Sequence, residues 1–181
     1  MNHTYAGIGS RETTDRALNQ IRALGLRLAE LRFTLHSGGA GGADTAFEEG
    51  AILGGGERKI FLPWKSFNKN DSPLYRICDD AIQLAQYYHP QGKGMSPVVT
   101  KMMARNCYQV LGEDLKSPVE FIACWTPGGK ASGGTGQALR IAEDRDIPIF
   151  NLYNISALDQ LAHHLSLLGV KGLKNVSRPQ V

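Results

Sequence analysis

The sequence predicts an α/β fold of three layers, a mainly parallel sheet between helices, with glycine-rich loops at the carboxyl edge of the sheet. Three observations carry this expectation. Short apolar runs alternate with stretches of helical periodicity along most of the chain. The mostly apolar run Val119-Glu120-Phe121-Ile122-Ala123-Cys124-Trp125 reads as a strand covered on both faces, as a parallel sheet requires. The 21 glycines exceed the roughly 13 expected at a usage of about 7%. Many of them fall where a strand gives way to a helix.

The elements follow in order. Tyr5 to Ile8 is a first strand, and Thr13 to Leu31 a helix with Leu18, Ile21, Leu24, Leu28 and Leu31 on one stripe. Phe33 to His36 is the second strand. Beyond a glycine loop, Ala43 to Leu53 is a helix stopped by Gly54-Gly55-Gly56. Lys59 to Leu62 is the third strand, closed by Pro63. Trp64 to Ser96 is less regular, with one helix around Asp79 to Tyr88. Pro97 to Leu111 is a helix with proline in its first turn. Val119 to Trp125 is the fourth strand, and a second glycine loop leads into a helix ending near Arg145. Pro148 to Leu152 and Ser156 to Leu168 are the last strand and helix, with Ser156 and Asp159 spaced as a capping box. Residues 1–168 thus form one domain, and 169–181 a polar, loose tail.

Composition excludes several classes. The chain is 181 residues long, 42% hydrophobic and 20% charged, with 20 Lys+Arg against 17 Asp+Glu. That length suits one domain and a core needing no metal or disulfide staple. The formal charge of +3 is too small to argue for nucleic acid without a concentrated basic stripe. No apolar run approaches the roughly 18 residues of a membrane span, and the N-terminus lacks a basic region followed by an apolar one. The three cysteines (Cys78, Cys107, Cys124) have no CxxC spacing and are expected to be small buried hydrophobes in a reducing compartment. A cytoplasmic protein without membrane partners is expected. The histidines show no metal-ligand spacing, so no metal and no required cofactor are expected.

Right-handed crossovers bring every strand-to-helix loop to one rim of a parallel sheet, where such folds bind ligands. Four segments meet there. Ser37-Gly38-Gly39-Ala40-Gly41-Gly42 opens a helix, and its glycines suit a backbone cradle for phosphate, with Asp44 as helix cap or ribose contact. It is neither GxGxxG nor GxxxxGK[ST]. In the loop from Thr126 onward, Gly133-Gly134-Thr135-Gly136 offers amides and a hydroxyl to a phosphate or ribose. Gly7-Ile8-Gly9-Ser10-Arg11 adds a possible cap in Ser10 and a bidentate phosphate partner in Arg11. Trp64, within Pro63 to Asn70, is a stacking candidate. Arg105-Asn106 sits in the Pro97 helix, where spacing alone favours a solvated arginine.

These segments, in this order, resemble the superfamily of DNA-processing protein A and the lonely-guy phosphoribohydrolases. The resemblance covers about Tyr5 to Leu152, and Ser37 to Asp44 is similar to the SG-x-A-x-G-x-D loop of the DNA-processing branch. It implies a Rossmann-like fold, nucleotide-type ligands at the glycine rim, frequent homo-oligomers, and a minimal stand-alone member. For the DNA-processing branch it also implies single-stranded DNA as partner. Lonely-guy enzymes carry PGGxGTxxE and an upstream M-x-x-R-K arginine; Met102 and Arg105 match the latter. The glycine motif here reads Gly133-Gly134-Thr135-Gly136-Gln137-Ala138-Leu139-Arg140, without an acid at either glutamate position. N-glycosidic cleavage needs a carboxylate beside an oxocarbenium-like centre, so Asp44 or Glu48 would have to substitute.

The leading expectation is therefore a protein that binds a nucleotide or nucleotide-derived ligand between the two glycine loops. The alternatives are single-stranded DNA binding through Lys65, Lys69, Lys93, Lys101, Arg105 and Lys130 with Trp64 and Phe67, and hydrolysis of a nucleoside monophosphate.

Overall fold

Strand β1 (His3–Gly9) runs through the middle of a five-stranded sheet, flanked by β2 (Phe33–Ser37) and β4 (Phe121–Trp125). The outer strands are β3 (Arg58–Ile60) and β5 (Ile149–Asn151), giving the order β3-β2-β1-β4-β5 with every neighbouring pair parallel. The structure is a computed structural model that describes residues 3–173 and 176. The helices are α1 (Asp15–Glu30), α2 (Ala43–Leu53), α3 (Asp79–Tyr88), α4 (Pro97–Leu111), α5 (Gly133–Asp144) and α6 (Ala157–Leu167).

Alternation along each strand sends side chains to two separate cores. Tyr5, Phe33, Leu35, Phe121 and Ala123 point to the core shared with α1, α2 and α6. Ala6, Ile8, Ile122 and Cys124 point to the core shared with α3, α4 and α5. Both faces are thus covered, which explains why the strands read as continuous apolar runs. On the first face α1 and α2 approach backbone to backbone. A Cβ on Gly50 would lie 2.2 Å from the Arg22 carbonyl oxygen, and one on Gly25 would lie 2.8 Å from that of Phe47.

Local signals account for the helix ends. Thr14 caps α1 by accepting from the Ala17 amide, and Ser96 caps α4 from the Val99 amide ahead of Pro97. The capping box expected at Ser156 does not form: Ser156 already has helical angles and makes no side-chain cap bond. Leu161 and Leu165 are core residues, whereas Leu168 is exposed. The segment after Gly169 is not loose at its start. Leu173 is buried and Arg27 Nε donates to the Gly172 carbonyl at 2.8 Å; residues 174, 175 and 177–181 of the expected tail lie outside the described residues. Cys107 and Cys124 are buried as expected, with burial pushing both thiols up to about 12. Cys78 is exposed, because the stretch before α3 lies on the surface. Among the described residues no helix is long and apolar enough to cross a membrane.

Candidate functional site

Sheet order fixes where a ligand can sit. From β1 the chain moves through α1 to β2 on one side, and from β4 through α5 to β5 on the other. The loops leaving β1 and β4 therefore diverge at the carboxyl edge and leave a crevice, the usual ligand position in open α/β sheets. A cleft of about 390 Å³ lies there, within the range of small-molecule sites.

One wall is the turn after β1. Ser10 accepts the Glu12 amide through its hydroxyl at 3.0 Å, and its carbonyl accepts from Thr13 Oγ1 at 2.7 Å and from the Ala43 amide at 3.2 Å. This fixes the backbone from which Arg11 and Glu12 project into the cleft lining. The facing wall is Thr126, Pro127 and Ser132 to Thr135. Thr126 is buried and held by Asn151, which donates Nδ2–H to Thr126 Oγ1 at 2.6 Å and accepts the Thr126 amide at 3.3 Å. Helix α5 starts at Gly133 without a side-chain cap. Its first-turn amides carry the partial positive charge of the helix toward the cleft.

The floor is polar and buried. Asp44, on the first turn of α2, accepts the Gly9 amide through Oδ1 at 3.2 Å and the Ala40 amide through Oδ2 at 3.4 Å. Arg105 Nη1 lies 3.4 Å from Asp44 Oδ2, with both side chains about 5% exposed. Burial pushes the Asp44 carboxyl upward, opposed by Arg105 and the Ala40, Gly9 and Gly38 amides. Burial likewise pulls the Arg105 guanidinium down, with Asp44 holding it up and nearby Arg11 adding to the decrease. Arg105 stands over the Phe67 ring at 5.9 Å, and its Nε has no hydrogen-bond partner. Next to it, Asn106 donates to the Gly134 carbonyl at 2.9 Å and to Gln137 Oε1 at 3.0 Å, tying α4 to the start of α5.

The structure brings Gly9, Ser10, Arg11, Asp44, Arg105, Asn106, Thr126, Gly133, Gly134 and Thr135 together around one cleft. It places the other expected residues elsewhere. Ser37 donates to the Gly7 carbonyl at 2.7 Å inside the sheet. Gly7 packs on Leu35 and Phe47, Gly38 on Arg105, Gly39 on Leu62 and Ile60, and Gly42 on the Ser10–Arg11 backbone. Gly136 packs against Ala131, and Gly41 faces open space. In the first glycine loop Gly38, Gly39 and Gly42 thus serve close packing, and amides aimed at the expected phosphate already hold the Asp44 carboxylate. Asp44 does not cap its own helix, whose N-cap is Gly42. Trp64 is 37% exposed, edge-on to Phe67 at 5.1 Å, and is not part of the cleft lining. Phe67 is buried under Arg105 and presents no face to a base. Glu48 accepts from Asn70 outside the cleft, so it does not replace the missing glutamate.

Sequence reasoning missed Glu12, Met103 and Gln109, and named Met102 only as part of the arginine motif; all four are in the lining. A signal existed for α4: Met102, Arg105, Asn106 and Gln109 recur at i, i+3, i+4 and i+7, one helical face. Arg105 is on the inward face, which corrects the solvated reading.

No family model and no curated protein matches the chain. Solved structures do. DNA processing protein A from Streptococcus pneumoniae superposes with a TM-score of 0.55 at 19% identity, covering 94% of this chain. The match spans 58% of that protein, less than two thirds of its length. DNA processing protein A from Helicobacter pylori, a protein with a described single-stranded DNA binding mode, gives a TM-score of 0.53 at 17% identity over 97% of this chain and 77% of its own. With its all-parallel five-stranded sheet, this chain has the Rossmann-like fold of DNA processing protein A.

Proposed function

We propose that the chain binds single-stranded DNA, seating one nucleotide unit in the cleft between the β1 and β4 loops. The observation that carries this reading is the meeting of Arg11, the buried Arg105 and the uncapped start of α5 around a single cleft. A backbone phosphate suits the α5 amides, with the exposed Arg11 as its partner. The apolar lining from Met102, Met103 and Ala138 accepts a base or sugar face. Exposed Lys101 and Lys130, next in sequence to lining or glycine-loop residues, supply charge for neighbouring phosphates. The likeness in fold to the Helicobacter pylori protein supports the same reading.

The test is fluorescence anisotropy with a labelled 12-mer oligothymidylate across a salt series. Three to five phosphate contacts give a slope of about −2 to −3.5 in log K against log salt. Arg11→Ala should flatten that slope by roughly one contact and weaken binding uniformly across sequences. A salt-independent signal, or equal affinity for duplex of the same length, removes the reading.

A second reading, a free nucleotide or nucleotide-derived ligand, is favoured by the volume of the cleft, which suits one such molecule. AMP or ADP-ribose displacing the oligomer stoichiometrically supports it; release of adenine from AMP identifies a glycosidase instead.

A further inference from the structure

We propose that Asp44 is a built-in anion that masks a second phosphate seat, formed by the Gly9 and Ala40 amides and Arg105, and so limits the cleft to ligands bringing one phosphate charge at a time. The inference deepens the nucleotide-unit reading above and rests on it for the identity of the first seat.

The geometry is that of an occupied anion site. Two backbone amides and a guanidinium converge on one carboxylate, at 3.2, 3.4 and 3.4 Å. These are the donors that glycine-rich βα turns offer to phosphate. The carboxylate comes from the chain itself and is 3% exposed. Arg105 retains capacity beyond this pair, because its buried Nε has no partner and its side chain lines the cleft.

The charge balance of the lining points the same way. Two arginines, Arg11 and Arg105, are matched by two carboxylates, Glu12 and Asp44. The remaining attraction for an anion comes from the partial charge at the start of α5. Such a cleft accepts the single charge of a phosphodiester in a continuous strand. It disfavours a diphosphate or triphosphate, whose second group meets the Asp44 carboxylate on its own donors. Asp44 is then a specificity-determining residue that selects an interior backbone unit over a free polyphosphate.

Asp44→Asn tests this with little change in volume. The asparagine keeps an acceptor for the Gly9 amide and leaves Ala40 N–H and Arg105 without an acceptor, which an incoming phosphate supplies. Inorganic pyrophosphate is the probe, titrated by calorimetry and as a competitor of the labelled oligothymidylate. The expected result is that pyrophosphate binds the D44N protein at least tenfold more tightly than the unaltered chain, and that adding Arg105→Gln abolishes the gain. Equal pyrophosphate affinity in the two proteins, or a gain that persists without Arg105, overturns the proposal. If D44N melts below the assay temperature, a pyrophosphate-dependent rise in its Tm, larger than that of the unaltered chain and absent when Arg105→Gln is added, gives the same comparison. Failure of the unaltered chain to bind the oligomer sinks the DNA reading alone, since the calorimetric comparison still decides whether the second seat exists.

Discussion

Gly38→Ala is expected to destabilise the protein by about 3–5 kcal/mol and to abolish oligonucleotide binding, although it adds one methyl group at a position without unusual backbone angles. The added Cβ would lie 1.2 Å from Arg105 Nη1 and 2.4 Å from its Cζ, and 2.6 Å from Gln109 Nε2. The guanidinium is flanked by Asp44 on one side and the Phe67 ring on the other. Making room for the Cβ is expected to draw it off Asp44, leaving the buried carboxylate without its cation. Removing one member of a buried pair costs on the order of 3–5 kcal/mol, because the other charge remains desolvated. Urea unfolding at pH 7 measures the loss. A double variant, Gly38→Ala with Asp44→Asn, should recover part of it, since the uncompensated charge is gone. A loss below about 1 kcal/mol for Gly38→Ala would mean that Arg105 does not occupy this seat.

The second large effect is acid sensitivity centred on His36. This residue lies on β2 between β1 and the edge strand β3, paired in register with Ala6 and Lys59 and edge-on to Phe61 at 5.4 Å. Neither ring nitrogen has a hydrogen-bond partner. Burial, then the Lys59 charge, lowers its pKa from 6.5 to about 4, with the Gln109 backbone acting weakly the other way. The unfolded chain binds a proton near pH 6.5 and the folded chain only near pH 4. Stability is therefore full above pH 6.5 and falls as pH drops through that window. At about 1.4 kcal/mol per unit the total is about 3 kcal/mol. The expected result is that the unaltered protein loses roughly 2 kcal/mol more than a His36→Leu variant between pH 7 and pH 4.5, by urea unfolding. Equal losses in the two proteins would assign the acid sensitivity to carboxylates alone.

How far the sequence carried depends on which physical effect wrote each feature. Helices α2, α3 and α4 were legible to the residue, since glycine, proline and apolar periodicity mark their ends. Strand β3 was placed one residue late at its start and two residues late at its end: Phe61 and Leu62 remain buried after leaving the sheet, and apolar pattern reports burial rather than pairing. His36 is buried with neither ring nitrogen hydrogen-bonded, which the sequence did not show, because a lone polar residue in an apolar strand carries no mark of its partners.

The site was legible in its location and illegible in its division of labour. Strand–helix alternation alone brings the glycine loops to one edge. Glycine runs, however, look the same whether they make room for a ligand or for the protein's own side chain. At Gly38 the neighbour is Arg105, from a helix more than sixty residues away, and at the first loop the anion is Asp44. The same holds for Arg105 itself: its place on an inward helical face was visible in the spacing of Met102 and Gln109, but its partner was not.

The most direct test of the account is a map of backbone amide shifts by NMR as a short oligothymidylate is titrated into the intact chain. The account predicts the largest shifts at Gly133, Gly134 and Thr135, with Ser10, Arg11 and Glu12 following on the facing wall. Shifts confined to the opposite edge of the sheet, around Gly112 to Pro118, with the start of α5 unmoved, would contradict it.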